Sequence, residues 1–194
     1  MSALTVDHSV SYGHEWDDIV RTWEGTDAPE GCKVEIIEGL VTVTPAPTDQ
    51  HGKVAWKLQR PLTAVLPEDW GIFQNVALDM PSRLGRYQPD LFVAPEDAVE
   101  GNATPVTAVE LVVEITSPRN ASHDRITKRA SYAAAAIPLY LLIDRWAPGG
   151  PTITLYGEPT GDVYRTLHAC KFGETIKLPD PFDVDIDTSE FPTD

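Results

Sequence analysis

Basic charge is what this 194-residue chain has least of. Fifteen lysines and arginines stand against thirty aspartates and glutamates, a formal net charge of −15. Proteins that grip nucleic acid by its phosphates usually carry a basic surface, so tight non-specific DNA binding by the monomer is not expected. Part of the excess is local: Asp180, Asp183, Asp185, Asp187, Glu190 and Asp194 crowd the end of the chain, which reads as a solvated acidic terminus. Cysteine is scarce as well. Cys32 and Cys170 form no metal-type pair, and a reduced, cytoplasmic setting fits them. A long apolar run is missing: the longest, Tyr132 to Ile143, is rich in alanine and broken by Pro138, too short for a membrane span. No N-terminal stretch joins a basic start to an apolar segment, so no signal peptide is expected. His8, His14, His123 and His168 show no zinc-ligand spacing. There is no G-x-S-x-G, no P-loop and no G-x-G-x-x-G.

Hydrophobic residues are present in quantity, at 42%, enough for one core. Residues 1–14 are polar and aperiodic and read as a flexible arm. Trp16, Ile19, Val20 and Trp23 then recur at helical spacing, predicting a short amphipathic helix from Glu15 to Glu24. Val34–Thr44, V-E-I-I-E-G-L-V-T-V-T, is two β-rich runs around Glu38-Gly39, a hairpin. Thr48 or Asp49 can cap a helix over about Gln50–Leu66 with Pro61 as a kink or break. A strand is predicted within Gly71–Met80. Two more follow at about Asp90–Ala94 and Ala108–Thr116, then a helix over Ser122–Ala136 and a strand over Leu139–Asp144. After the turn at Ala147–Pro151, residues 152–187 read as short strands. The fold class is α/β or α+β with a mixed central sheet. It is laid out as one domain over 15–187, with 152–187 a strand-rich extension and 188–194 an acidic tail.

Two acids stand where a buried strand would not normally hold them. Asp90 opens the apolar run P-D-L-F-V, and Glu114 lies inside L-V-V-E-I-T. Alternation puts Leu111, Val113 and Ile115 on one face and Glu110, Val112, Glu114 and Thr116 on the other. If the two strands are neighbours, the two carboxylates converge, and with backbone carbonyls and waters they suit Mg²⁺. The competing reading is a salt bridge to Arg83, Arg86 or Arg125. Asp124, Lys128 and Tyr132 follow at i, i+4, i+8 on one helix face, with Ile126, Ala130, Ala133 and Ile137 on the other. They read either as an exposed Asp–Lys pair or as a lysine set beside the carboxylates. His51 near a helix start, and Glu35 and Glu38 in the hairpin, read either as surface groups or as residues lining the same site.

The ordered set Val34–His51, Gln88–Val93 (Q-P-D-L-F-V), Val112–Pro118 (V-V-E-I-T-S-P), Asp124–Tyr132 (D-R-I-T-K-R-A-S-Y) and Ile137–Asp144 (I-P-L-Y-L-L-I-D) resembles the Uma family of "putative restriction endonucleases", within the PD-(D/E)XK nuclease superfamily. The resemblance spans about Val34 to Asp187. It implies a restriction-endonuclease-like core, a mixed sheet flanked by helices, with Asp90 and Glu114 as the metal-binding acids. The superfamily's D/E-x-K would place lysine two residues after Glu114, where this chain has Thr116. The family's lysine has moved to the following helix, which makes Lys128 its counterpart. Glu35 corresponds to the family's acid in the first hairpin and His51 to its histidine at the next helix.

The expected reaction is Mg²⁺- or Mn²⁺-dependent hydrolysis of DNA phosphodiester bonds. Asp90 and Glu114, with the Ile115 carbonyl, hold the metal; Lys128 assists the nucleophile; Glu35, His51, Asp124 and Tyr132 support. The expected partners are DNA, bound weakly or through metal, and a second copy in a homodimer, with no membrane. The alternatives are a nuclease fold that no longer cuts and serves as a binding or assembly module, and a metal-dependent hydrolase of another phosphoester.

Overall fold

The computed structural model describes residues 12–101 and 103–193. Most of the predicted arm, residues 1–11, lies outside the described residues, and Asp194 of the predicted tail does too. Residues 12–14 belong instead to the first helix, α1 (Tyr12–Glu24).

The hairpin forms as its sequence requires. β1 (Lys33–Ile37) and β2 (Leu40–Thr44) pair antiparallel with Ile37 opposite Leu40. Glu38 and Gly39, at φ +50° and +81°, make the two-residue turn whose twist matches that of the strands. α2 (Asp49–Thr63) starts at the Thr48 cap, whose side chain accepts from the His51 amide, and runs through Pro61 without ending there.

The predicted strand over Gly71–Met80 is two strands. β3 (Trp70–Phe73) and β4 (Ala77–Met80) belong to different sheets. Asn75, at φ +57°, redirects the chain between them; asparagine tolerates that left-handed backbone better than most residues. β5 (Gly85–Tyr87), β6 (Leu91–Pro95) and β7 (Ala103–Pro105) follow. Then come β8 (Leu111–Ile115), a π-helical stretch over His123–Lys128 continuing into α3 (Arg129–Ala134), and β9 (Leu139–Asp144). β10 (Thr152–Thr160), β11 (Val163–Lys171), β12 (Thr175–Leu178) and β13 (Val184–Asp187) complete the chain.

The main sheet runs β11-β10-β9-β8-β6-β3, with β8 and β9 parallel and the other pairs antiparallel. A second sheet runs β2-β1-β5-β4-β7. The long β10–β11 hairpin therefore forms one edge of the central sheet, while β12 and β13 form a ribbon of their own. Alternation sorts β8 as expected. Leu111, Val113 and Ile115 join Val54, Leu58 and Leu62 of α2 in one core, and Val112 joins Tyr132 and Tyr140 in a second core on the other face. Both faces are covered, which is why β8 and β9 are buried along their whole length. In the predicted acidic tail, Thr188 is buried and Phe191 packs edge-on against Phe172 at 5.3 Å. Among the described residues no helix is long and apolar enough to cross a membrane.

Candidate active site

The chain from β5 to β6 passes through Gln88, Pro89 and Asp90, linking the two sheets. Acids placed there face residues from both. Leu91 pairs with Val113; one more residue of that antiparallel register sets Asp90 across from Glu114. The two strands are neighbours, as the convergence of the acids requires.

Neither acid meets the arginines that the competing reading offered. Arg86 pairs with Asp79, Arg125 with Asp144, and Arg83 lies near Asp162. Asp90 instead receives Lys33 Nζ on Oδ1, while Oδ2 lies 2.8 Å from His51 Nε2 and accepts the Ile115 amide at 2.7 Å. Glu114 Oε1 accepts from Tyr132 Oη at 2.7 Å and from Lys128 Nζ at 3.1 Å. Lys128 Nζ also lies 2.8 Å from Glu35 Oε1 and 3.7 Å from Asp124 Oδ1. Glu35 Oε1 is fixed in turn by the Gln88 amide at 2.9 Å.

The stretch that carries Lys128 buries charged side chains where an ordinary amphipathic helix buries apolar ones, and Ala133, further along, is buried as well. Asp124, Lys128 and Tyr132 are buried, and Ile126 is 65% exposed. The exposed Asp–Lys reading is thereby excluded. The wide π turn over His123–Lys128 is a feature that helices often use at functional sites. Tyr140 Oη, donating to the Asp124 carbonyl at 2.9 Å, ties this stretch to the sheet.

The electrostatics follow from burial and these partners. For Asp90, burial pushes the pKa up, but Lys33 and His51 outweigh it and hold the carboxyl well below its usual range. For Glu114, burial dominates; Lys128 opposes it, the neighbouring Asp90 adds to it, and the net direction is upward. Asp124 is pushed further up by burial, only partly offset by Lys128. Burial would lower Lys128, yet Glu114, Glu35 and Asp124 together hold it well above an ordinary lysine. Lys33 rises for the same kind of reason, with Asp90 and Glu114 outweighing burial. Both lysines are therefore firmly protonated. Burial and Glu114 keep the Tyr132 phenol neutral.

The four carboxylates Glu35, Asp90, Glu114 and Asp124 outnumber the two lysines among them, and both Asp124 oxygens lack a hydrogen bond among the described residues. That negative excess, carried on hard oxygen donors, fits a divalent cation such as Mg²⁺ or Mn²⁺. As placed, Lys128 sits between Glu35 and Glu114. No three His, Cys, Asp or Glu side chains among the described residues stand together as a ready-made cage.

A cleft of about 300 Å³ opens over this cluster, with Asp90, Lys33, His51 and Thr116 among its lining. A second, of about 200 Å³, reaches Glu35 and Lys128. Thr44, Pro45, Arg119 and Asn120 border both. Sequence reasoning named Asp90, Glu114, Lys128, Glu35, His51, Asp124 and Tyr132, and the fold brings all seven together; Glu38 faces away, beside Arg83 and Leu84. It missed Lys33, Arg119, Arg145 and Trp146. Lys33 had a signal: it is the first lysine of the chain and sits two residues before Glu35, on the same strand face.

A family profile described as "Uma2: Putative restriction endonuclease" matches residues 16–189. Among solved structures, a "putative nuclease belonging to DUF820" from Anabaena variabilis ATCC 29413 superposes with a TM-score of 0.63 at 17% identity, covering 87% of this chain and 90% of that one. At that identity the likeness speaks for the fold. No curated protein matches the sequence.

Proposed function

The chain belongs to the Uma2 family, and from that premise we propose that it is a divalent-metal-dependent endonuclease hydrolysing DNA phosphodiester bonds. The observation that carries this reading is the convergence of Asp90, at the entry to β6, and Glu114, in the adjacent β8, with the Lys128 ammonium 3.1 Å from Glu114. Asp90, Glu114 and the Ile115 carbonyl would hold Mg²⁺ or Mn²⁺. When bound, such an ion lowers the pKa of a coordinated water and offsets charge on the phosphate.

The remaining work falls to the chain's own groups. Lys128, raised in pKa and held by Glu35, is a fixed positive charge and not a base; it orients the attacking water and offsets charge on the phosphate in the transition state. Tyr132 holds the Glu114 carboxylate in place. His51 does the same for Asp90. Asp124 contributes to the field that keeps Lys128 charged. We further propose a homodimer acting in the cytoplasm, because related nucleases often pair and the thiols Cys32 and Cys170 are free.

A second reading has its own support. Both Asp90 oxygens already have partners in Lys33, His51 and the Ile115 amide, as in a fold kept for binding or assembly after catalysis is lost. The decisive experiment is cleavage of single- and double-stranded DNA in Mg²⁺ or Mn²⁺ by the wild type and by Glu114→Ala. The nuclease reading expects metal-dependent cleavage that Glu114→Ala abolishes. Equal residual cleavage by both removes the site assignment, and no cleavage by either favours the binding module.

A further inference from the structure

The 300 Å³ cleft is asymmetric in chemistry. Its floor is the charged cluster at Asp90, Lys33 and His51, and its rim includes Pro45, Ala46 and Pro47 together with Trp146. Trp146 is 49% exposed although its backbone is pinned: its amide donates to Asp144 Oδ1 at 3.2 Å, and its carbonyl accepts from Arg125 at 2.8 Å. An aromatic ring left half in water on a fixed backbone at the mouth of a cleft has the character of a stacking platform. Beside it lies the loop Ser117–Asn120, held closed by the Asn120 side chain, which accepts from the Ser117 amide at 2.7 Å and from its hydroxyl at 2.6 Å. That loop carries Arg119, which is exposed and makes no ion pair among the described residues. Arg119 borders both openings, the one over Asp90 and the one reaching Lys128.

Size and charge decide what such a cleft can take. Its volume is at the small end of ligand-sized pockets, room for one nucleotide and not for a base pair inside its helix. A closed duplex is gripped through many phosphates at once, and a chain of net charge −15 is poorly equipped for that. An unpaired strand can be held with fewer charges, because a base stacked on an aromatic side chain contributes affinity of its own. We propose, building on the nuclease reading, that the cleft takes one unpaired nucleotide of a DNA strand. The base rests against Trp146 and the Pro45–Pro47 wall, and the adjacent phosphate lies at Arg119. The substrate is then single-stranded or frayed DNA in preference to closed duplex.

The test is binding, measured apart from cleavage. A labelled single-stranded oligodeoxynucleotide, its duplex and the same sequence as single-stranded RNA are titrated with the full-length protein, with Ca²⁺ replacing Mg²⁺, and followed by fluorescence anisotropy. The single DNA strand is expected to bind about ten-fold or more tightly than the duplex. Trp146→Ala should weaken that binding about ten-fold, the scale of one lost stack, while Trp146→Phe retains most of it. Arg119→Ala should weaken it and flatten its salt dependence. Because Trp146 and Arg119 are exposed, neither variant should lower the Tm. Equal or tighter duplex binding, indifference to Trp146→Ala, absence of binding by any strand, or equal or tighter RNA binding overturns the proposal. Single-strand binding without cleavage in Mg²⁺ upholds the cleft assignment while removing the nuclease reading. Duplex cleavage insensitive to Trp146→Ala does the reverse.

Discussion

The Lys128 ammonium lies 2.8 Å from Glu35 Oε1, and this contact fastens the helix after β8 to the first hairpin of the chain. Both groups are buried. Removing one partner of a buried ion pair strands the other without water. Lys128→Ala should therefore destabilise the fold by about 3–5 kcal/mol, a Tm drop on the order of 10 °C for a domain of this size. Lys128→Met with Glu35→Gln, which removes both charges of this pair and keeps the volume, should recover the part of that loss due to the stranded Glu35, with Glu114 and Asp124 still left without the ammonium, and should not recover cleavage. Calorimetry of the three proteins checks the first part. If the double substitution is as unstable as Lys128→Ala, the pair is not what couples helix to hairpin.

Tyr132 offers a finer perturbation. Its hydroxyl donates to Glu114 at 2.7 Å, and its ring packs against Tyr87 and Tyr140 at 5.7 and 5.4 Å. Tyr132→Phe keeps the rings and deletes the one donor. A hydrogen bond to a charged group is worth about 1.5–3 kcal/mol, so urea unfolding should report a loss of that order. Catalysis should fall too, since Glu114 loses a restraint. A Tyr132→Phe protein with unaltered stability would mean that Glu114 does not depend on that bond.

The parts of this site that the sequence made legible are those with a local signature. An acid in an otherwise apolar strand is conspicuous because burying it is costly, and that marked Asp90 and Glu114. Helical spacing put Asp124, Lys128 and Tyr132 on one face. It did not say which face points inward, since the apolar side chain of Ile126 is exposed while the charged ones are buried; tertiary packing against β1 and β8 decides that. Lys33 had a local hint in its place two residues before Glu35, but its pairing with Asp90 was not legible because that contact joins residues far apart in the chain. The break between β3 and β4 was missed for a related reason. Ile72 to Met80 reads as one β-rich run, and only the left-handed Asn75 sends its halves to different sheets. Arg83, just before β5, and Arg86, within it, looked like natural partners for the site acids, but the fold gives Arg86 to Asp79 and leaves Arg83 near Asp162.

Asp124 makes a pH prediction with a definite sign. Burial raises its pKa well above the ordinary aspartate value of 3.8. The folded state therefore binds the proton more tightly than the unfolded chain does. The stability this proton contributes is fully present below about pH 3.8 and is lost as pH rises through the folded pKa. Asp124→Asn carries no such proton. Its stability relative to wild type should accordingly improve as pH rises above 4, until Asp124 in the folded protein has ionised. Urea unfolding of both proteins at intervals from pH 4 to pH 9 reads this directly. A difference that stays flat with pH, or that moves in the opposite direction, would show that burial does not raise the Asp124 pKa.

Lys33 and a metal ion contend for the same carboxylate. Lys33 Nζ sits on Asp90 Oδ1, so a cation coordinated by that oxygen must displace the ammonium or share the oxygen with it. Metal that binds only the folded state stabilises it by RT ln(1 + [L]/Kd), about 2.7 kcal/mol at a hundred times Kd. Mn²⁺ should therefore raise the Tm of the wild type, and Glu114→Gln should abolish the rise. Lys33→Met should lower the Tm without metal, because among the described residues Asp90 then keeps only His51 and the Ile115 amide as partners. The same substitution should enlarge the Mn²⁺-induced rise, because Asp90 is released to the ion. This outcome needs no turnover to be read, so it separates a metal site from a nuclease. A Lys33→Met protein that responds to Mn²⁺ no more than wild type does would place the ion away from Asp90.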